Sequence, residues 1–126
     1  MERKLIASKK LTDTDLTWYN LYSDGYVEQG GASSSQTVTL PIEMAGTSYS
    51  IQLTGTCDST RNNVVIHGFR NRTTTSFVTQ GNVVNNNGES SASNTSTKFW
   101  QVSGYATASA YQGYLDKMYK KQFIAY

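Results

Sequence analysis

The chain has 126 residues, enough for one domain with one core, and a formal net charge of +2, too mild to draw in a nucleic acid by long-range attraction. Hydrophobic residues make up 37% and charged residues 16%, both below the average of roughly 45–50% and 25%, and neutral polar residues fill the difference. A single cysteine, Cys57, excludes an internal disulfide framework, and no apolar run approaches the roughly 20 residues that span a bilayer.

Residues 1–16 alternate weakly and read as an N-terminal arm or linker without a signal-peptide apolar region, which fits synthesis in a cytoplasm. The pattern sharpens at Thr17–Ser23, where Trp18, Asn20 and Tyr22 fall on one strand face and Tyr19 and Leu21 on the other. Asp24-Gly25 follows, the dipeptide of a two-residue type I′ hairpin turn, and Tyr26–Gln29 returns as the partner strand. Gly30-Gly31 opens a flexible break, after which Thr37–Leu40 reads as a strand ended by Pro41.

Ser48–Thr54 alternates strictly, with Tyr49, Ile51 and Leu53 inward. Residues 63–69, 74–79 and 98–105 give three more strands, seven in all. Gln80–Thr97, with Asn85-Asn86-Asn87-Gly88, reads as one long solvated loop. Tyr111, Leu115, Met118 and Phe123 then form a one-sided stripe that predicts a helix over 107–122. The expected fold is all-β: a compact antiparallel β-sandwich of about seven strands at 17–105, with a short C-terminal helical extension at 106–126.

Chemistry is sparse. His67 and Cys57 stand alone, outside any metal-ligand spacing, so neither metal nor cofactor is expected, and a satisfied core or strand-end role suits His67 better than catalysis. Asp24 and Glu28 are the one close acidic pair that glycoside cleavage could use, but turn chemistry accounts for Asp24, and Glu28 should pair with residues near Asn20, not with Asp24. Arg70 and Arg72 make a thin basic footprint that could hold an anionic sugar or phosphate. A non-enzymatic binding domain is the reading these residues favour.

The segment Trp18-Tyr19-Asn20-Leu21-Tyr22-Ser23-Asp24-Gly25-Tyr26-Val27-Glu28-Gln29-Gly30-Gly31 resembles a recurring block of bacteriophage tail-fibre tip domains. The likeness continues at Val38–Ile42, at Tyr49 and at Lys98–Tyr105, with Trp100, Gly104 and Tyr105 in matching places. Tyr26 stands where that family more usually has Trp, Ala106–Tyr126 extends beyond many relatives, and the His-x-His iron motif of some tips is absent.

The resemblance implies a homotrimeric virion protein at the tail-fibre tip that grips a bacterial surface glycan or outer-surface protein, alongside other virion tail proteins and without membrane insertion. A structural virion module and a polysaccharide depolymerase are the alternatives. Because loops on a rigid β scaffold carry binding residues, the receptor candidates are Arg61, Asn62, Arg70, Asn71, Arg72, Asn85, Asn86 and Asn87, with Tyr105 or Tyr111 as stacking surfaces. Trp18, Tyr22 and Tyr26 are expected to bury large areas, Asp24-Gly25 to make the turn, and Gly30-Gly31 to let the backbone bend.

Overall fold

A computed structural model describes residues 2–56, 63–85, 87–92 and 96–124, with backbone alone for Asn63 and residues 121–124. Among the described residues nine strands and one helix follow in chain order: β1 Leu5–Lys9, β2 Trp18–Tyr22, β3 Tyr26–Ser33, β4 Thr37–Thr39, β5 Ser50–Thr54, β6 Asn63–Arg70, β7 Ser76–Asn85, β8 Ser90–Ala92, β9 Lys98–Tyr105 and α1 Ala108–Ile124. All strand pairs are antiparallel. One sheet has the order β1-β2-β3-β9-β5; the other runs β4-β7-β6, with β8 pairing the far half of β7. The two form an all-β, sandwich-like fold.

Alternation builds the interior. Leu21, Val27, Trp100 and Val102 come from one face of the first sheet and meet Val38 and Phe77 of the second, while Leu40, Ile42, Met44 and Tyr49 close one end. The Phe77 and Trp100 rings meet edge to face at 6.1 Å, the geometry that aromatic quadrupoles favour. Strand β5 follows the expected alternation, with Ile51 and Leu53 half-buried and Ser50, Gln52 and Thr54 exposed.

Four local expectations change. The segment read as an arm contains β1, whose residues pair with β2 through a register irregularity between Leu5 and Ala7. Its weak alternation is the mark of an edge strand interrupted by a bulge. The segment read as one long loop is largely strand: Gln80–Asn85 completes β7, and β8 folds back on Asn82–Val84. Polar residues suffice there because β6 and β8 satisfy the backbone on both sides of β7.

The hairpin turn also differs. Leu21 pairs with Val27, leaving Tyr22 opposite Tyr26 and three residues, Ser23-Asp24-Gly25, in the loop. Gly25 N–H donates to the Tyr22 carbonyl at 2.9 Å, and Gly25 alone of the three has a positive φ, 87°. This is a type I turn completed by a left-handed glycine, not a type I′ turn, and the Asp24 carboxylate accepts the Tyr26 N–H at 3.2 Å. Lastly, Gly30 and Gly31 are strand residues inside β3, not a break.

Helix α1 confirms the stripe read at 107–122. Thr107 caps it, its hydroxyl accepting the Ala110 N–H at 3.1 Å. Tyr111, Tyr114, Leu115 and Met118 are half-buried along one side, and Tyr114 meets Tyr19 edge to face at 5.5 Å. The Tyr111 hydroxyl donates to the Ser23 carbonyl at 2.9 Å, pinning the helix to the hairpin. The Phe123 side chain, the last of the stripe, lies outside the described residues.

Candidate functional site

Strand pairing fixes which side chains share the outer face of the five-stranded sheet, because directly opposed residues point the same way and the period is two. At the hairpin end Leu5, Tyr22, Tyr26 and Tyr105 form one row. Behind it come Ser8, Asn20, Glu28, Ser103 and Ser50, all hydrogen-bonding side chains. A third row holds Trp18, Gly30, Gln101 and Gln52, and a fourth Ala32, Phe99 and Thr54. Aromatic rings thus stand at both ends of a polar band.

The rings are arranged, not scattered. Tyr22 and Tyr26 lie 6.1 Å apart, and Tyr26 meets Tyr105 edge to face at 5.7 Å. Gly30 makes room for Trp18: a Cβ on Gly30 would stand 2.7 Å from the indole. Tyr105 and Phe99 keep 53% and 54% of their surface in solvent, so these two rings are available to a ligand. Beside Tyr105 a notch of about 210 Å³ is lined by Met44, Ala45, Tyr49 and Gly104.

At the hairpin end of this face the charges are paired. The Arg3 guanidinium donates twice to Asp24 Oδ2, at 2.9 and 2.7 Å, and lies 4.3 Å from the Tyr26 ring centroid. Asp24 accordingly holds the arginine above its usual range, and Arg3 holds the Asp24 carboxyl below its own. Glu28 faces Asn20 and Ser103 across the strands, one residue along from Leu21, where a two-residue turn would have placed it, and is the one remaining charged group in the four rows.

The loop candidates do not converge. Arg70, Asn71 and Arg72 lie at the hairpin end of the sandwich, since Arg72 donates to the Tyr49 carbonyl at 2.8 Å; that bond makes Arg72 a brace, with its guanidinium 5.3 Å from the Phe69 ring. Asn71 has a φ of 55°, the left-handed turn conformation that Asn tolerates. Asn85 and Asn87 are at the opposite end of β7, about 30 Å away at about 3.3 Å per residue. The Asn85 carboxamide oxygen accepts the N–H groups of Asn87 and Glu89 at 2.9 and 3.0 Å, so it builds its own turn. Arg61, Asn62 and Asn86 lie outside the described residues.

Of the two proposed stacking residues, Tyr105 joins the outer aromatic row and Tyr111 is tied to Ser23. Trp18, Tyr22 and Tyr26, expected to serve burial, prove to be half-exposed members of the outer face, while Gln29, Gly31, Trp100 and Gly104 take the interior side. The signal was present in the alternation of Trp18, Asn20 and Tyr22. Which of the two faces met the core was the missing fact.

Two cation-capable side chains, one fully buried and one half-buried, lie on the inner faces of the sheets. Lys98 is fully buried, its ammonium donating to the Ser35 carbonyl at 2.6 Å and to Thr79 Oγ1 at 3.0 Å, and burial lowers its pKa. His67 projects from β6 with both ring nitrogens buried and, among the described residues, without a hydrogen-bond partner, which corrects the expectation of a satisfied histidine. Burial, and secondarily the charge of Lys98, lowers its pKa. Among the described residues no three His, Cys, Asp or Glu side chains are grouped to hold a metal ion.

Comparison with protein families, with curated proteins and with solved structures returns no match for this chain.

Proposed function

We propose that this is a non-catalytic recognition domain of the tail-fibre tip type, which grips a bacterial surface polysaccharide with the outer face of its five-stranded sheet. One observation carries the reading: a half-exposed Tyr105 closes the row Tyr22–Tyr26–Tyr105, next to a band of Asn20, Glu28, Ser103 and Ser50. The apolar face of a pyranose packs on an aromatic ring, and its hydroxyls need donors and acceptors a few ångströms away. Both are supplied by rigid strands, so little ordering entropy is lost on binding.

The ligand class follows from charge. With Arg3 neutralised by Asp24 and Glu28 uncompensated, the face offers nothing to an anionic sugar, so a neutral glycan is the preferred ligand. Asp24 is engaged with Arg3, which argues against two-carboxylate glycoside hydrolysis.

The domain works as a homotrimer at a virion tip. A single shallow sugar site binds with a dissociation constant near 1 mM, about −4 kcal/mol, and linked sites raise avidity by about 10²–10⁴. Val64 and Ile66, 50% and 60% exposed on the second sheet, suit subunit contact. The same patch would serve a structural virion module that assembles without gripping a receptor, the second reading.

Binding of the purified chain to a panel of bacterial strains and their isolated polysaccharides tests the proposal. Retention on a neutral polysaccharide, weakened in Tyr105→Ala, is the expected result. A stable monomer that binds no strain and no polysaccharide would leave only the structural module.

A further inference from the structure

At the far edge of the five-stranded sheet, β1 is paired on one side by β2, and among the described residues no strand pairs with its other side. Helix α1 runs beside it. Between them lies a groove of about 250 Å³ lined by Ile6, Ala7, Tyr19, Tyr114, Lys117 and Met118. An edge strand flanked by a helix offers an incoming chain a row of backbone hydrogen bonds on one side and a wall for its side chains on the other.

The two elements that border this groove, with their flanking residues, carry more lysine than acid. Lys4, Lys10, Lys117 and Lys120 are exposed, and none of them has a carboxylate partner among the described residues, whereas Lys9 is engaged with Asp15 and Thr17. The Lys117 ammonium rests 5.2 Å from the Tyr114 ring centroid, at the groove wall. Asp116, the acid closest in sequence, accepts from Gln112 at 2.9 Å.

We infer that the groove between β1 and α1 takes an extended acidic peptide segment of a partner protein, which adds to β1 as a sixth strand. Alternate side chains of such a segment point into the apolar groove, and its carboxylates meet the lysines on either side. This site uses the sheet's edge and the face that carries Tyr19, and it does not depend on the glycan reading, which uses the opposite face.

The test is a fluorescence-anisotropy titration of the full chain with a labelled peptide of alternating Glu and Val, followed by amide hydrogen exchange. Saturable binding is expected, about three- to tenfold weaker in the exposed charge reversal Lys117→Glu and weakened by salt, with exchange slowed at Leu5–Lys9. Tyr105→Ala should leave it unchanged, which separates failure of this site from failure of the glycan face. No saturation at millimolar peptide, equal binding of a Lys-Val peptide, slowed exchange confined to other strands, or the same protection produced by self-association without peptide would overturn the inference.

Discussion

Gln29 and Ile42 are joined by two hydrogen bonds: Gln29 Oε1 accepts the Ile42 N–H at 2.9 Å, and its Nε2 donates to the Ile42 carbonyl at 3.0 Å. The side-chain amide thus takes the place of a strand partner for a backbone unit that Pro41 keeps out of any ladder. Both residues are buried, so water cannot replace either bond. Gln29→Leu should therefore cost about 2–4 kcal/mol, since it strands a buried donor and a buried acceptor. Urea unfolding checks this; a loss under 1 kcal/mol would mean that the 41–44 segment finds other partners.

Gly30 carries the second prediction. A Cβ there would stand 2.7 Å from both the Trp100 carbonyl oxygen and the Trp18 ring, and the carbonyl belongs to a strand held on both sides. Gly30→Ala should destabilise by about 1–3 kcal/mol and lower the melting temperature by several degrees. Trp18 fluorescence should shift with it. An unchanged melting temperature would mean that Trp18 and the Trp100 carbonyl both yield to a methyl group at little cost.

His67 makes stability depend on pH. Its folded-state pKa is lowered, so as pH falls below the ordinary value near 6.5 the unfolded chain takes up a proton that the native state resists. The contribution is whole above that value and is lost as pH falls toward the folded one, with a slope of at most about 1.4 kcal/mol per pH unit. His67→Leu should flatten the stability profile below about pH 6.5. An equal slope in the variant would show that other groups set the acid limb.

Much of the fold could be read from residues whose neighbours in sequence decide their structure. Ser50–Thr54 and Lys98–Tyr105 alternate because one face of each meets the core, and the stripe Tyr111, Leu115, Met118 repeats because a helix turns every 3.6 residues. What stayed hidden depends on distant partners. Leu5–Lys9 becomes a strand through β2, and Asn82–Asn85 through β6 and β8, none of which a polar or weakly patterned segment announces. The site was hidden for the same reason. Tyr22, Tyr26 and Tyr105 form a row only because β3 lies between β2 and β9, and their sequence pattern suits a core as well as a platform.

Tyr105 separates stability from binding. Half of its surface is already in water, so Tyr105→Ala should change unfolding free energy by little, within about 1 kcal/mol. Glycan affinity should fall by about tenfold or more, because the ring is the exposed end of the aromatic row. Isothermal titration alongside chemical unfolding reads both quantities. Parallel loss of stability and binding would assign Tyr105 to the scaffold.

The outer face of the five-stranded sheet is the proposed ligand surface. Titrating the isotopically labelled chain with a neutral oligosaccharide from a bound strain, and following amide and aromatic resonances, addresses it directly. Shifts should centre on Tyr26, Glu28, Phe99, Ser103 and Tyr105. Shifts centred on Arg70–Arg72 or on Asn85 and Asn87, with the sheet face silent, would contradict it.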